Sequence, residues 1–423
     1  MSEPTPADPV SQVAAIEDLD ERRLLVLRLG EVAHRFGCSS PRVEELMALV
    51  AEHVGQPGQF FDQPTSLLAA FGRAPLQTTV LLRFEPGSVD LGKRWHIDAT
   101  VEELLEGRIS SRKALSELER IEREPPRFAP LTTLLCGAIA SAATASFFGS
   151  TPADLAASAL CGLVVGLVAL AAERSRKIGR LQHIGSAALV SFLAVLISAW
   201  ITPLSSYTVT VSGLIWLLPG LTLATSVSEI ALRHLSAGTA RLMLSLFTFL
   251  ELGFGAALGR VAGTMLTHLD RAAAVEAPMS SPWAVALALC AFPVAFTVLL
   301  RARPQDVGWI AAATTLAFAG SRWGSMAIGP ALGAFVGALL VGLGSNLYSR
   351  QLGRPAAVPM LPGILMLVPG SLGFSSLSSL LERDVLSGIG TAFTVWLVAL
   401  SIVTGLFVAG AILPPRRLDS PGT

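Results

Sequence analysis

Charge is what this sequence has least of. Only 15% of its 423 residues are Asp, Glu, Lys or Arg, against about 25% in a soluble domain. With 52% hydrophobic residues and a mean hydropathy of +0.60, that scarcity indicates a membrane protein. Cysteine is scarce too. Cys38, Cys136, Cys161 and Cys290 form no CxxC and no Cys/His cluster. A disulfide framework and a metal site are therefore not expected, and the cysteines read as small buried apolar residues. There is no HExxH, GxSxG or P-loop pattern, each of which would mark a familiar catalytic site. No basic run with interleaved aromatics points to nucleic acid, and no cofactor is expected. The opening MSEPTPADPVSQ has neither a basic n-region nor an apolar h-region, so no cleavable signal peptide is expected.

The few charges are unevenly placed. Residues 1–129 hold fifteen Lys/Arg and twenty-one Asp/Glu, a net of −6, while residues 130–423 hold sixteen and ten, a net of +6. The neutral total hides an acidic N-terminal part and a sparsely charged apolar part. Residues 1–18 read as a disordered tail and 19–127 as a cytoplasmic α+β domain. In that domain, SSPRVEELMALVAEHVG reads as a helix capped by Ser40, with Pro41 in the first turn and Gly55 at the end. An earlier helix spans about 19–36. GQFFDQPTSLLAAFG and LQTTVLLRFEPG read as two strands, followed by two polar helices. His34, His53 and His96 are too scattered to suggest a catalytic site, and gating, assembly or regulation is the expected role.

A helix needs about 20 apolar residues to cross the hydrocarbon core. Ten candidates follow: 131–149, 153–172, 183–201, 209–228, 239–259, 283–300, 305–321, 324–345, 357–380 and 388–412. With the N-terminus in the cytoplasm, twelve Lys/Arg between Arg174 and Arg417 fall on the inner side. Only Arg260, Arg271, Arg322 and Arg383 fall on the outer side, which predicts both termini inside.

Two stretches repeat. LLPGLTLATSVSEIALRHLSAG starts at Leu217 and LVPGSLGFSSLSSLLERDVLSG at Leu367, an offset of 150 residues. Ser226, Ser228, Arg233 and Gly238 recur as Ser376, Ser378, Arg383 and Gly388. The offset maps span four onto nine and span five onto ten. Five spans are an odd number, so the second copy runs the opposite way through the membrane, an inverted 5+5 repeat of the kind secondary transporters use. The halves are residues 128–262 and 283–413, joined by a loop at 263–282 and followed by a cytoplasmic tail at 414–423. Small residues recur every four positions at Gly162 and Gly166, at Gly255, Gly259 and Gly263, and at Gly329, Gly333 and Gly337, which lets helices approach closely.

Proline inside a span removes a donor and clashes with the preceding turn. Backbone freed at membrane depth is tolerated only in protein or facing a wet cavity. Pro219, Gly220, Pro369 and Gly370 therefore predict broken spans. Half-helix ends offer amides to an anion and carbonyls to a cation, which suits an amino acid. Thr222, Thr225, Ser226, Ser371, Ser375 and Ser376 can bond a small polar solute. Glu251, in the middle of ARLMLSLFTFLELGFGAALG, finds no partner on its own helix and is a candidate proton carrier; a hydrogen bond to a neighbouring helix is the alternative. Glu229 and Arg233 read as an i,i+4 pair at the end of span four, with Glu229 and Asn346 as further pathway candidates.

The chain resembles the threonine/serine exporter family over nearly its whole length. The resemblance rests on RLGEVAHRFGCSSPRVEELM, PTSLLAAFG and VDLGKRWHIDATVEELLEGRISSRKALSEL, then on LLPGLTLATSVSEIALRHLSAGTARL and LPGILMLVPGSLG. It implies a cytoplasmic domain followed by ten spans in two related halves. It further implies export of threonine and serine across the inner membrane, driven by the proton-motive force. Partners are then a small solute, protons and lipid, with a homo-oligomer left open. Relatives that divide the halves between two chains are associated with dicarboxylate (succinate) export; the fused form favours amino acids. The family's N-terminal domain has been likened to hydrolases, but these residues offer no catalytic constellation to carry over. A membrane-anchored enzyme and a channel or sensor are the alternatives.

Overall fold

The computed structural model describes residues 9–73, 75–84, 87–267, 281–367, 374, 376 and 385–416. It divides into two compact units. One takes residues 1–125, 229–240 and 416–423; the other takes 126–228 and 241–415. The connection after span four thus belongs with the N-terminal residues, a membership the sequence reading did not foresee.

In the first unit, α1 (Pro9–Arg35) and α2 (Ser40–His53) pack against an antiparallel sheet of β1 (Gly58–Gln63), β2 (Ser66–Phe71) and β3 (Thr78–Arg83), in that order. There are three strands where two were expected. Pro64 and Thr65 form a tight turn, and Gln63 pairs directly with Ser66. Proline at the turn costs no ladder bond, so the chain folds back within what reads as one strand. Alternation sends Leu67, Ala69 and Phe71 inward, against Leu25, Leu29 and Val32 of α1 and Val43, Leu46, Met47 and Val50 of α2. Each buried Leu contributes about 1.5–3 kcal/mol. α3 (Leu91–Leu105) and α4 (Ser111–Arg123) follow, the first capped by Asp90 accepting from the Lys93 amide at 2.9 Å, the second by Ser110. α2 corrects one expectation. Its N-cap residue is Ser39, and Ser40 lies inside the helix. Gly55, at φ +71°, closes its far end as expected.

The second unit is helical: α5 (Pro130–Phe147), α6 (Pro152–Arg174), α7 (Arg176–Trp200), α8 (Ser206–Gly213), α9 (Gly220–Ala231), α10 (Leu235–Thr267), α11 (Pro282–Leu299), α12 (Val307–Ile328), α13 (Pro330–Leu352), α14 (Ala357–Leu367) and α15 (Val385–Ile412). The last turn of α9 and the first of α10 fall in the first unit. Seven of these helices, α5, α6, α7, α10, α11, α13 and α15, are long and apolar enough to cross a membrane. Ten spans were expected. The fourth is two short helices, α8 and α9. The seventh is α12, whose 22 residues include Thr314, Thr315, Ser321, Arg322 and Ser325. Of the ninth, the 11-residue α14 is described, and most of the rest of 357–380 lies outside the described residues. The turn between spans seven and eight lies at Gly329, later than expected, because its φ of +92° and ψ of +160° suit glycine alone. Gly329 is thus a turn residue, and a Cβ there would meet nothing.

Other small residues do set close helix contacts. A Cβ on Gly255 would lie 2.3 Å from the Ile184 carbonyl oxygen, and one on Gly259 2.1 Å from that of Ala188, so α10 rests on the backbone of α7. α15 rests likewise on α13, where a Cβ on Gly405 would lie 2.6 Å from the Phe335 oxygen. Two large apolar clusters, and a smaller one of Val227, Ala399 and Val403, lie within the bundle among the described residues. One draws on α6 to α10 and takes in Phe374 and Val395. The other draws on α12 to α15 and takes in Ala224, with Leu221 packed against it.

Candidate functional site

Span four unwinds between Gly213 and Gly220. Pro219 has no amide to donate and its ring opposes the preceding turn. The intervening residues close tight turns, with the Leu217 amide on the Leu214 oxygen and the Gly220 amide on the Leu218 oxygen, both at 2.8 Å. α9 then starts, the Leu223 amide reaching the Pro219 oxygen at 2.9 Å. The amides of Leu221 and Thr222 find no backbone acceptor among the described residues, as in the first turn of a helix. Pro219 and Gly220 are buried, and Thr222 and Thr225 are half-buried.

The break carries polar groups the sequence reading missed, because it looked only downstream of the proline. Ser212 is fully buried, and neither its Oγ nor the indole Nε1 of Trp216 has a hydrogen-bond partner among the described residues. The Trp216 ring fits over two glycines; a Cβ on Gly137 or Gly166 would come within 3.5 and 3.6 Å of it. Ser226 and Ser376 are both committed to main chain, Ser226 Oγ donating to the Leu223 oxygen and Ser376 Oγ to the Gly388 oxygen, each at 2.7 Å. Pro369, Gly370, Ser371 and Ser375 lie outside the described residues.

Glu251 is not alone. His183 Nδ1 lies 2.9 Å from its Oε2, across the contact of α7 with α10. The pairing was invisible in sequence because the two are 68 positions apart. Asn346 bridges helices, its Nδ2 donating to the Leu413 oxygen at 2.8 Å.

Two buried aspartates were also missed. Asp154 closes a capping box with Thr151 at the start of α6 and accepts from the Ser205 amide, just before α8, at 2.9 Å. Asp306, just before α12, accepts from Arg303 Nε at 3.1 Å, Tyr348 Oη at 3.0 Å and Arg354 Nη1 at 2.9 Å. Arg354 stands just before α14. Each carboxylate is 1% exposed.

Within the first unit, Glu229 is buried and its Oε1 accepts from the Ser40 amide at 3.0 Å. It supplies the N-terminal acceptor expected of Ser40, whose own Oγ has no partner among the described residues. The expected helical pairing of Glu229 with Arg233 is not realised. α9 ends at Ala231, and Arg233, at φ +66°, is the left-handed residue of a C-terminal turn in which the His234 amide reaches the Glu229 oxygen at 2.9 Å. His234 Nδ1 lies 3.5 Å from Glu44, and Gln63 Nε2 donates to Ser236 Oγ at 2.9 Å. Burial pushes the Glu44 carboxyl up, while the Asp62 amide and His234 act against that rise. His34 Nδ1 lies 2.9 Å from Asp62 Oδ1 and its Nε2 3.1 Å from the Pro64 oxygen. Both ring nitrogens are engaged, so the imidazole ties α1 to the β1–β2 turn. No group of three His, Cys, Asp or Glu among the described residues could hold a metal ion.

Long apolar helices in close contact, one span broken at a Pro-Gly pair and ionisable groups within the bundle together define a multi-pass helical membrane protein. Profiles of the threonine/serine exporter match residues 24–262 and 283–412. The chain belongs to the threonine/serine exporter family, in a form that fuses its two parts. Among curated proteins, pheromone-regulated membrane protein 10 of Eremothecium gossypii is 28% identical over 375 residues, 87% of this chain and 50% of that protein. The protein of the same name from Saccharomyces cerevisiae is 26% identical over 390 residues, 90% of this chain and 49% of its own length. The chain thus spans about half the length of these relatives. No solved structure matches it.

Proposed function

We propose that this chain is a secondary transporter that exports threonine and serine across the inner (plasma) membrane, with both termini cytoplasmic and the proton-motive force as its drive. The observation that carries this reading is the reciprocal packing of the two halves by residues that follow their Pro-Gly pairs. Ala224, five residues past Pro219, sits in the apolar cluster of the second half. Phe374, five residues past Pro369, sits in that of the first. A scaffold has no need of such an exchange, whereas a transporter that rocks one half against the other around a shared site does.

Matched contacts support an inverted 5+5 repeat of residues 128–262 and 283–413. Gly213 meets Val190 and Gly363 meets Val341; Gly255 meets Ile184 and Ala187, and Gly405 meets Phe335 and Ala338. Every position in the first set has its counterpart in the second at an offset of 150 or 151, and only Ile184, matched by Phe335, changes residue type. Asp154 and Asp306 tie the start of the second helix to the start of the fourth in each half. With five spans per half, the two aspartates work on opposite faces of the membrane.

The solute site then lies where the two breaks meet. It is formed by Pro219, Gly220, Thr222 and Thr225, by Pro369, Gly370, Ser371 and Ser375, and by the buried donors Ser212 and Trp216. Amides at the start of α9 suit a carboxylate, and carbonyls left by the unwinding of 214–219 suit an ammonium. Ser226 and Ser376 hold the half-helices in shape. The N-terminal unit is read as a non-enzymatic partner of the transporter. The test is a panel of labelled threonine, serine and succinate in proteoliposomes, with and without a pH gradient. Gradient-dependent flux of the amino acids supports the reading; flux of succinate alone replaces the solute, and no flux of any solute rejects transport.

A further inference from the structure

We infer that His183 and Glu251 act as one proton-coupling pair, and that the proton enters and leaves this pair at Nε2 of His183. The inference rests on the exporter reading above and deepens it. An ionised carboxylate only accepts, so the 2.9 Å contact is made by Nδ1–H donating to Glu251 Oε2. That bond is available in both protonation states of the imidazole. With Nδ1 committed, Nε2 is the nitrogen that can change its proton count, and the side chains of His183 and Glu251 are 37% and 20% exposed, so neither is enclosed by protein.

The balance over one cycle is simple. From the outer solution one proton binds Nε2, giving imidazolium beside carboxylate with zero net charge. Released to the inner solution, it leaves neutral imidazole donating to carboxylate, with a net charge of −1. No other atom changes, and one proton moves inward for each solute that leaves. For the empty site, a neutral pair crosses a low-dielectric region at far less cost than a lone charge, which ties the return of the empty site to protonation. The pair is held at fixed distance by the glycine contact one turn along α10, where Gly255 rests on the backbone of Ile184.

Other charges on the elements around the pair are few. On α7 they are Arg176, Lys177 and Arg180; on α10, Arg241 and Arg260. On α6 they are Asp154, already bonded to Thr151 and Ser205, and the terminal Glu173 and Arg174; α8 has none, and α9 has Glu229, which accepts from the Ser40 amide. The second half has no counterpart. The positions matching His183 and Glu251 at the observed offsets are Ala334 and Ser401, so each chain carries a single exchangeable proton of this kind.

The decisive variant is His183→Asn. The asparagine amide overlays Nδ1–H and keeps the bond to Glu251, yet it removes Nε2. Purified wild-type protein in weakly buffered detergent is expected to release protons when threonine is added, and His183→Asn and Glu251→Gln to release none. In proteoliposomes both variants are expected to keep threonine counterflow while pH-gradient-driven accumulation is lost. Retained proton release or gradient-driven accumulation in His183→Asn overturns the inference, since a purely structural histidine is replaced without loss. Absence of counterflow in the wild type overturns the exporter reading itself and is recognised separately.

Discussion

The contact of α10 on α7 yields a prediction that can be worked from distances. Alanine at Gly255 puts a Cβ 2.3 Å from the Ile184 oxygen, where ordinary contact starts at 3.4 Å. The obstacle is main chain, so no side chain can rotate aside, and the helices must part by about 1 Å along the contact. Overpacking of this kind costs about 1–3 kcal/mol, and alanine returns about 0.5–1 kcal/mol of helix propensity. The net is a loss of up to about 2.5 kcal/mol. Gly405→Ala should behave alike, since its Cβ lies 2.6 Å from the Phe335 oxygen. Gly185→Ala and Gly410→Ala are the controls, because a Cβ at either meets nothing within 4 Å; these should gain up to about 1 kcal/mol. Thermal unfolding in one detergent should rank both contact variants below the parent and both controls at or above it. Contact variants as stable as the controls would refute the packing argument. A large loss at Gly255 with none at Gly405 would refute the equivalence of the two halves.

Three further outcomes follow from single groups. Asp306→Asn leaves Arg303, 5% exposed, beside a neutral amide, and should cost about 3–5 kcal/mol; Asp154→Asn, which loses bonds to uncharged groups, should cost about 1–3 kcal/mol, and equal losses in thermal unfolding would contradict the difference. Glu229→Ala removes the acceptor for the Ser40 amide and should weaken α2 by about 0.5–2 kcal/mol, read as faster hydrogen exchange in its first turn, with Glu229→Gln restoring most of the protection. Because burial raises the Glu44 carboxyl, the folded chain keeps that proton to higher pH than the unfolded one. Its contribution is complete below the ordinary carboxylate range and is lost as pH rises through the raised value. Stability of Glu44→Gln relative to the parent should therefore rise with pH across that window, measured by hydrogen exchange in α2 and β1; a fall would reverse the assigned sign.

Much of the architecture was written locally. Apolar length marked the long helices, Pro219-Gly220 marked the break in span four, and Gly255 and Gly259 marked a close helix contact. What stayed hidden depended on residues far apart in the chain. The His183–Glu251 bond, the Glu229 cap on α2 and the Asp306 cluster each join segments with no local signal, and Glu251 therefore read as partnerless. The β1–β2 turn was overlooked although Asp62, Gln63, Pro64, Thr65 and Ser66 form a polar, proline-bearing break between two apolar stretches, which is a local turn signal. Ser212 and Trp216 were passed over because residues before a break look like any other helix, and only their unpaired buried donors set them apart.

Threonine counterflow in proteoliposomes tests the central claim most directly. Vesicles loaded with unlabelled threonine and carrying the wild-type chain should transiently accumulate labelled threonine from outside with no gradient imposed, because a site reached alternately from each face exchanges solute for solute. Accumulation no higher than in empty liposomes, for threonine, serine and succinate alike, would contradict the account.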